Sequence, residues 1–239
     1  MFLEQRLSEF SVDLFIEKSA RELATEMAVR GVKGVAIGAS GGIDSLVTVA
    51  LCLRARKQST GARVVAVQMN DSQVKHEHYN AQMYKNLGAD FIHCDITGQA
   101  IDVEGRLGMP PRWLTVCLMK LVLRLVPIRL RRQLILAVRT GEAPEWVLIH
   151  YQLLTLLHRL RIAKLRQYAT SHGLMLVVFT NRTEHSLGYF MEQGIDDPFM
   201  GDSAPLLGLY KSEALCVARS IGLPQRVMLQ MRSLVRMNW

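Results

Sequence analysis

Val35-Ala36-Ile37-Gly38-Ala39-Ser40-Gly41-Gly42-Ile43-Asp44-Ser45, running into the apolar segment Leu46–Leu53, is the stretch that decides the fold. A short β-type apolar run is followed by a Ser-Gly-Gly turn, an acid, a second serine and a helix. That strand–loop–helix suits an anion. Glycines at 41 and 42 let backbone N–H groups approach closely, Ser40 and Ser45 add hydroxyls, and the helix N-terminus carries positive partial charge. Asp44 is an odd companion for phosphate unless a cation lies between them, so it reads as a Mg²⁺ ligand. Neither the Gly-x-x-x-x-Gly-Lys-Ser/Thr pattern nor Gly-x-Gly-x-x-Gly fits the loop.

Working outward, residues 11–29 have helical apolar spacing and end at Gly31 and Gly34. Strands are expected at 35–38, 63–69, 91–96 and 174–179, and helices at 44–56, 76–87, 151–171 and 208–220. Alternating strands and helices, with near-continuously apolar strands, predict a doubly wound, mostly parallel α/β sheet covered on both faces. Ligands of such sheets sit beyond the carboxyl ends of the strands. Ser40–Ser45, Met69–Ser72 and Thr180–Glu184 all fall there. Residues 105–147 break the alternation. Pro110-Pro111 opens a Leu-, Val-, Ile- and Arg-rich stretch, Pro127 divides it into two expected helices, and Gly141–Pro144 closes it.

The 239 residues, 49% hydrophobic, are expected to form one domain with a helical insertion at 105–147. Net charge is +8, yet residues 105–166 hold twelve Lys/Arg against two acids, so the remainder is net acidic. Cys52, Cys94, Cys117 and Cys216 lack metal-ligand spacing and read as free thiols of a reducing compartment. The N-terminal residues do not read as a signal peptide, and no uncharged apolar run reaches the ~18 residues of a membrane span. A cytoplasmic location is therefore expected.

Ser40-Gly41-Gly42-Ile43-Asp44-Ser45 resembles the pyrophosphate loop of the N-type ATP pyrophosphatases. Asn181-Arg182-Thr183-Glu184-His185-Ser186-Leu187-Gly188-Tyr189-Phe190 resembles the Asn-Lys-Ser/Thr-Glu-x-x-Leu-Gly-Tyr-Phe segment of ammonia-dependent NAD synthetases. Pro205-Leu206-Leu207-Gly208-Leu209-Tyr210-Lys211 is similar to that family's Pro-x-x-Asp/Gly-Leu-Tyr-Lys, and Arg159-x-Arg161 to its Ala-Arg-x-Arg-Met. The likeness covers roughly 11–98 and 150–224. It implies a Rossmann-like fold of the ATP pyrophosphatase type and an ATP-dependent amide ligase. Deamido-NAD or a related acid would be adenylated, with release of pyrophosphate, and then attacked by ammonia or an amine. ATP and Mg²⁺ are the implied cosubstrate and cofactor.

The resemblance also assigns roles. Ser40, Gly41, Gly42 and Ser45 would hold the β,γ-pyrophosphate, with Met69 and Thr180 also on the nucleotide. Asp44 and Glu184 would bind Mg²⁺. Lys211 would neutralise a phosphate, so that Asp44, Glu184 and Lys211 form the catalytic set. Arg159 would contact nucleotide or acyl substrate, and Asn181 and Asp202 the substrate. From the residues alone, Glu184 could instead be a helix N-terminal acid, Lys211 a solvated lysine, Arg159 and Arg161 an exposed helix face, and Asp202 a turn residue. His185 reads as a helix-surface histidine.

Four departures from the family stand out. Val178-Phe179 replaces its Gly-Thr, leaving Thr180 to take over. Residues 193–201 replace its Tyr-Gly-Asp-Gly-Gly loop, which helps hold the dinucleotide. The lid segment and basic motif that follow in the family have no match before Trp239, so poorer exclusion of water is expected. Residues 105–147 match nothing in the family. For 110–140 three partners compete: a second copy in a homodimer, a membrane surface or partner protein, and RNA. The last is disfavoured because aromatic residues are not interleaved with the basic ones. A separate glutaminase could supply nitrogen, since none is expected within the chain. The alternatives to a ligase are a non-catalytic ATP-binding protein and a tRNA-modifying pyrophosphatase.

Overall fold

The structure is a computed structural model that describes residues 10–58, 61–71, 77–110 and 140–224, with a few isolated positions between 111 and 139. Most of 110–140, including most of the two helices expected on either side of Pro127, lies outside the described residues, as do Cys117 and residues 225–239.

The first helix, α1 (Val12–Arg30), starts at Ser11, whose Oγ accepts from Leu14 N. It stops at Gly31, where φ is +63° and the glycine N–H reaches Ala28 and Met27 carbonyls. Ala20, Leu23, Ala24 and Met27 repeat at three and four residues and form its buried stripe. β1 (Gly34–Gly38) follows and is buried throughout. Gly34 has φ +148°, and a Cβ there would lie 2.1 Å from the Arg63 carbonyl oxygen. Only glycine allows the two strands to start side by side.

The remaining elements are α2 (Ile43–Arg56), β2 (Arg63–Asn70), α3 (Glu77–Leu87), β3 (Asp90–Asp95), α4 (Thr97–Arg106), α5 (Glu145–His172), β4 (Met175–Val177), α6 (Arg182–Ser186), a 3₁₀ turn at Pro198–Met200 and α7 (Lys211–Ser220). All four strands are parallel, in the order β3-β2-β1-β4. The expected covered parallel sheet is what the chain forms. Side-chain alternation divides the core between its two faces. Val35 and Ile37 join Leu23, Leu46, Leu51 and Val217 on the face covered by α1, α2 and α7. Ala36, Val65 and Val67 join Ile162, Leu165 and Ala169 of α5 on the other.

Several boundaries differ from expectation for identifiable reasons. α4 went unrecognised because Gly98 and Gly105 dilute its helical pattern; Asp95 starts it by accepting from Thr97 N at 2.8 Å. α5 starts at Glu145, directly after Pro144, so 145–147 belong to it and not to the insertion. β4 spans three residues instead of six, because the chain beyond it turns to a different partner. Val178 N donates to Ser203 O at 3.0 Å, Asp202 N donates to Leu176 O at 2.7 Å, and a parallel bridge joins Val177 to Ser203. α7 begins at Lys211, with Glu213 accepting from Tyr210 N at 2.7 Å. No helix among the described residues is long and apolar enough to cross a membrane.

Asp202 fastens this added edge. Its Oδ2 accepts from Leu176 N at 2.8 Å, and its Oδ1 accepts from Arg166 Nη1 of α5 at 2.7 Å, with Arg30 of α1 at 3.8 Å. Burial alone would raise its pKa. The bonds from Arg166 and Leu176 and the charges of Arg166 and Arg30 outweigh that and hold the carboxyl below the usual range. A depressed carboxylate stabilises the fold above its unfolded value, about 3.9, and loses that contribution as pH falls through the lower folded value. Asp202→Asn is expected to cost about 1–3 kcal/mol at neutral pH and to flatten the acid side of the stability profile. Urea denaturation between about pH 2.5 and pH 7 measures both.

Candidate active site

The strand order reverses direction between β1 and β4, with β2 and β3 on one side and the later strand on the other. This is the switch point at which a parallel sheet opens a crevice. Three helices begin there: α2 behind Ser40-Gly41-Gly42, α6 behind Thr180-Asn181, and α7 at Lys211.

The first loop is closed on itself. Gly41 takes φ +74°, where a side chain would be strained. Ser40 Oγ donates to Ser45 Oγ at 2.9 Å and accepts from Gly42 N at 3.2 Å; Ser45 Oγ lies 2.8 Å from Gly42 O. A third hydroxyl joins them. Tyr84 Oη of α3 is 2.8 Å from Ser45 Oγ and accepts from Gly41 N at 3.0 Å. Burial pushes this phenol up to about 12, against the opposing effect of its bonds with Ser45 and Gly41, so it stays protonated. Sequence reading passed over Tyr84. Its signal was present: Tyr84 and Leu87, three residues apart, put a phenol on the inward face of a helix, where its hydroxyl must find a partner.

Asp44, Glu184 and Lys211 meet at the crevice. Lys211 Nζ forms an ion pair with Asp44 Oδ2 and stands 3.6 Å from Glu184 Oε1. Backbone contacts fix the approach: Lys211 N donates to Thr183 Oγ1 at 3.0 Å and Arg182 N to Leu209 O at 2.7 Å, tying the starts of α6 and α7 together. Glu184 is held by a capping box. Asn181 Oδ1 accepts from Glu184 N at 3.0 Å, and a Glu184 carboxylate oxygen faces Asn181 N. Burial, then the charge of Asp44, push the Glu184 pKa up, while Lys211 and Asn181 work the other way. Asp44 Oδ1 is buried with no hydrogen-bond partner among the described residues. The expected catalytic residues are therefore brought together, two carboxylates sharing one ammonium.

Other expected residues are placed differently. Met69, at the end of β2, is buried in the α5-side core. Thr180 Oγ1 donates to the Asp196 carbonyl, so its proton is committed within the fold. Asn181 orients Glu184, and its Nδ2 is buried without a partner among the described residues. Arg159 Nε donates to Glu192 O at 3.3 Å, whereas Arg161 reaches the end of β2 and pairs with buried Asp71 at 2.8 Å. Asp202 is engaged with Arg166, Arg30 and Leu176, and is not brought to the cluster. The divergent 193–201 loop is stitched by its own acids. Asp196 Oδ1 accepts from Met191 N and faces His158 Nδ1 at 3.1 Å; Asp197 accepts from Gln193 and Phe199 N–H. His185 stacks on Phe190 at 5.8 Å and meets Phe199 edge-on.

The family model described as NAD synthase matches residues 15–108 and 152–233. The chain belongs to the NAD synthase family. The unmatched residues 109–151 cover most of the basic stretch that interrupts the sequence pattern. Among curated relatives, the NH(3)-dependent NAD(+) synthetase of Hyperthermus butylicus is 29% identical over 200 residues, 84% of this chain and 58% of the relative. That of Thermotoga neapolitana is 27% identical over 201 residues, covering 82% and 67%. In three dimensions, the NH3-dependent NAD synthetase of Campylobacter jejuni, solved with a nitrate ion, superposes with a TM-score of 0.66 at 19% identity. The match covers 92% of this chain and 78% of that one, a likeness of fold.

Because Glu184 has a raised pKa, the native state binds more protons than the unfolded chain between the ordinary value, about 4.3, and the folded one. Stability therefore falls as pH rises through that window. Glu184→Gln keeps an oxygen for the capping box and removes the charge. It is expected to abolish this fall and to leave stability near pH 7 within about 1 kcal/mol of the parent or slightly higher. Urea denaturation series at about pH 4 and about pH 7 compare the two proteins.

Proposed function

We propose that the chain is an ATP-dependent, AMP- and pyrophosphate-forming amide ligase that activates the carboxylate of deamido-NAD or a related acid for attack by ammonia or an amine. The observation that carries this reading is the meeting of Asp44, Glu184 and Lys211 beside a glycine turn at a helix N-terminus. Family membership supports it.

A carboxylate is a poor electrophile, and adenylation supplies a leaving group. The substrate carboxylate oxygen attacks Pα of ATP, and the bond from Pα to the bridging oxygen breaks with release of pyrophosphate. Ammonia then attacks the acyl carbon, AMP departs with the electron pair, and a proton is lost as the amide forms. Negative charge grows on the phosphates, so fixed donors aimed at them do most of the work. Leu46 N→Gly42 O is the first bond of the α2 ladder, which leaves the preceding amides of that helix as anion donors. Lys211 adds a compact cation.

The donor set fits Mg²⁺. Asp44 and Glu184 present hard carboxylate oxygens from separate elements, and Asp44 Oδ1 is buried and unpartnered among the described residues. When bound, the ion would offset charge on the phosphate oxygens. A homodimer and an external nitrogen source belong to the same reading.

With ATP, Mg²⁺ and ammonium, pyrophosphate release is expected to require deamido-NAD or another carboxylic acid and to fall by about 10²-fold or more in Asp44→Ala. A coupled pyrophosphate assay with the products resolved by chromatography measures it. Strong hydrolysis of ATP to AMP without any acid would overturn the ligase reading. Tight ATP binding without turnover would favour a non-catalytic binder.

A further inference from the structure

The Ser40–Ser45 loop forms one consistent chain of donors and acceptors. The Gly41 amide can only donate, so Tyr84 Oη accepts from it at 3.0 Å. Ser45 Oγ donates to the Gly42 carbonyl at 2.8 Å, which also accepts from Leu46 N at 3.2 Å. Ser40 accepts from Gly42 N and gives its proton to Ser45 Oγ. The Tyr84 proton then has one destination, Ser45 Oγ at 2.8 Å. Ser45 now uses both lone pairs and its proton, and Tyr84 both donates and accepts. The network is complete.

Two consequences follow. Ser45 has no proton left for an anion, and the Gly41 N–H is committed to the protein interior, because Tyr84 is fully buried. The first-turn amides of α2 keep their donors free. Tyr84 also stacks on Phe91, with ring centroids 5.9 Å apart.

We propose that Tyr84 is a positioning residue for the loop. Its hydroxyl draws the Gly41 N–H inward and fixes the Gly41-Gly42 turn, so that a pyrophosphate group meets the amides of the α2 first turn and not Gly41 or Ser45. The inference rests on the loop being the pyrophosphate site of the proposed ligase. It replaces the expectation that Gly41 and Ser45 hold the phosphates directly.

The test compares wild type, Tyr84→Phe and Phe91→Leu in the full chain. Tyr84→Phe removes only the hydroxyl; Phe91→Leu alters the ring's stacking partner and keeps the hydroxyl with its bonds to Gly41 and Ser45. Calorimetric titration with inorganic pyrophosphate and Mg²⁺ is expected to give about tenfold weaker binding for Tyr84→Phe and wild-type binding for Phe91→Leu, with thermal unfolding recorded for each. Native-state hydrogen exchange is expected to speed up on the order of 10²-fold at the Gly41 amide in Tyr84→Phe and to stay unchanged in β1. Equal weakening in both variants, or unweakened binding in Tyr84→Phe, would overturn the positioning role. Unchanged Gly41 exchange would overturn the latch even if the ligase reading stands. A wild-type protein that binds no pyrophosphate would remove the site reading and the pyrophosphate half of this inference together, leaving Gly41 exchange to decide the latch.

Discussion

One ammonium between two carboxylates is the constraint on which the site depends. Asp44 and Lys211 lie 167 residues apart in sequence, and Glu184 lies between them. Two carboxylates in a partly buried crevice repel each other, and each resists desolvation. Lys211 offsets both, and the raised pKa of Glu184 is the part of the cost that Lys211 does not cancel. To bring the three groups together, three helices must start at one place. A parallel sheet with a reversal of strand order provides this: α2 leaves β1, α6 follows β4, and α7 starts beside α6, held by the Thr183 hydroxyl.

The scaffold beneath is rigid for reasons that can be named. β1 has no exposed residue and packs on both faces, so the loop at its end starts from a fixed point. Gly34 lets β1 and β2 begin in contact. α5 covers one face and adds two ion pairs, Arg161 to Asp71 at the end of β2 and Arg166 to Asp202 at the sheet's outer edge. The second pair lies away from the crevice and the first at its margin. One helix therefore ties the sheet both at its edge and at its crevice end.

The strands, the loop and the helix behind it were legible because their signals are local: near-continuous apolar runs, a glycine turn, a helix cap. The union of Asp44 with Glu184 and Lys211 was legible only through motif resemblance, since nothing local in the chain says which distant segments share a crevice. The inward face that carries Tyr84 was legible in its helix, but its partners were not, being 39 and 43 residues away. For Asp202 the motif and the structure point to different partners. A motif placed it on a substrate, while Arg166, one helical turn or more beyond the Arg159-x-Arg161 pattern, claims its carboxylate. α4 escaped because two glycines hid a helix that is fixed by its cap and by packing on α5.

The hydrogen bonds of the crevice bear on how it would meet the polyanion of the proposed reaction. Hydroxyls are the groups that a Ser-Gly-Gly-x-Asp-Ser sequence most readily suggests as phosphate donors. Here those of Ser40 and Ser45 are donated inside the loop, and that of Thr180 is donated to Asp196. Among the groups the proposed reading leaves for an anion, two are fixed: backbone amides at the start of a fourteen-residue helix, and one lysine whose backbone is pinned. Donors of this kind need no reorientation as charge develops, whereas a hydroxyl must rotate and give up a bond. Satisfying the side-chain hydroxyls within the fold thus has a chemical effect. On the proposed reading, an anion would be met by groups that are already in place instead of groups that must adapt.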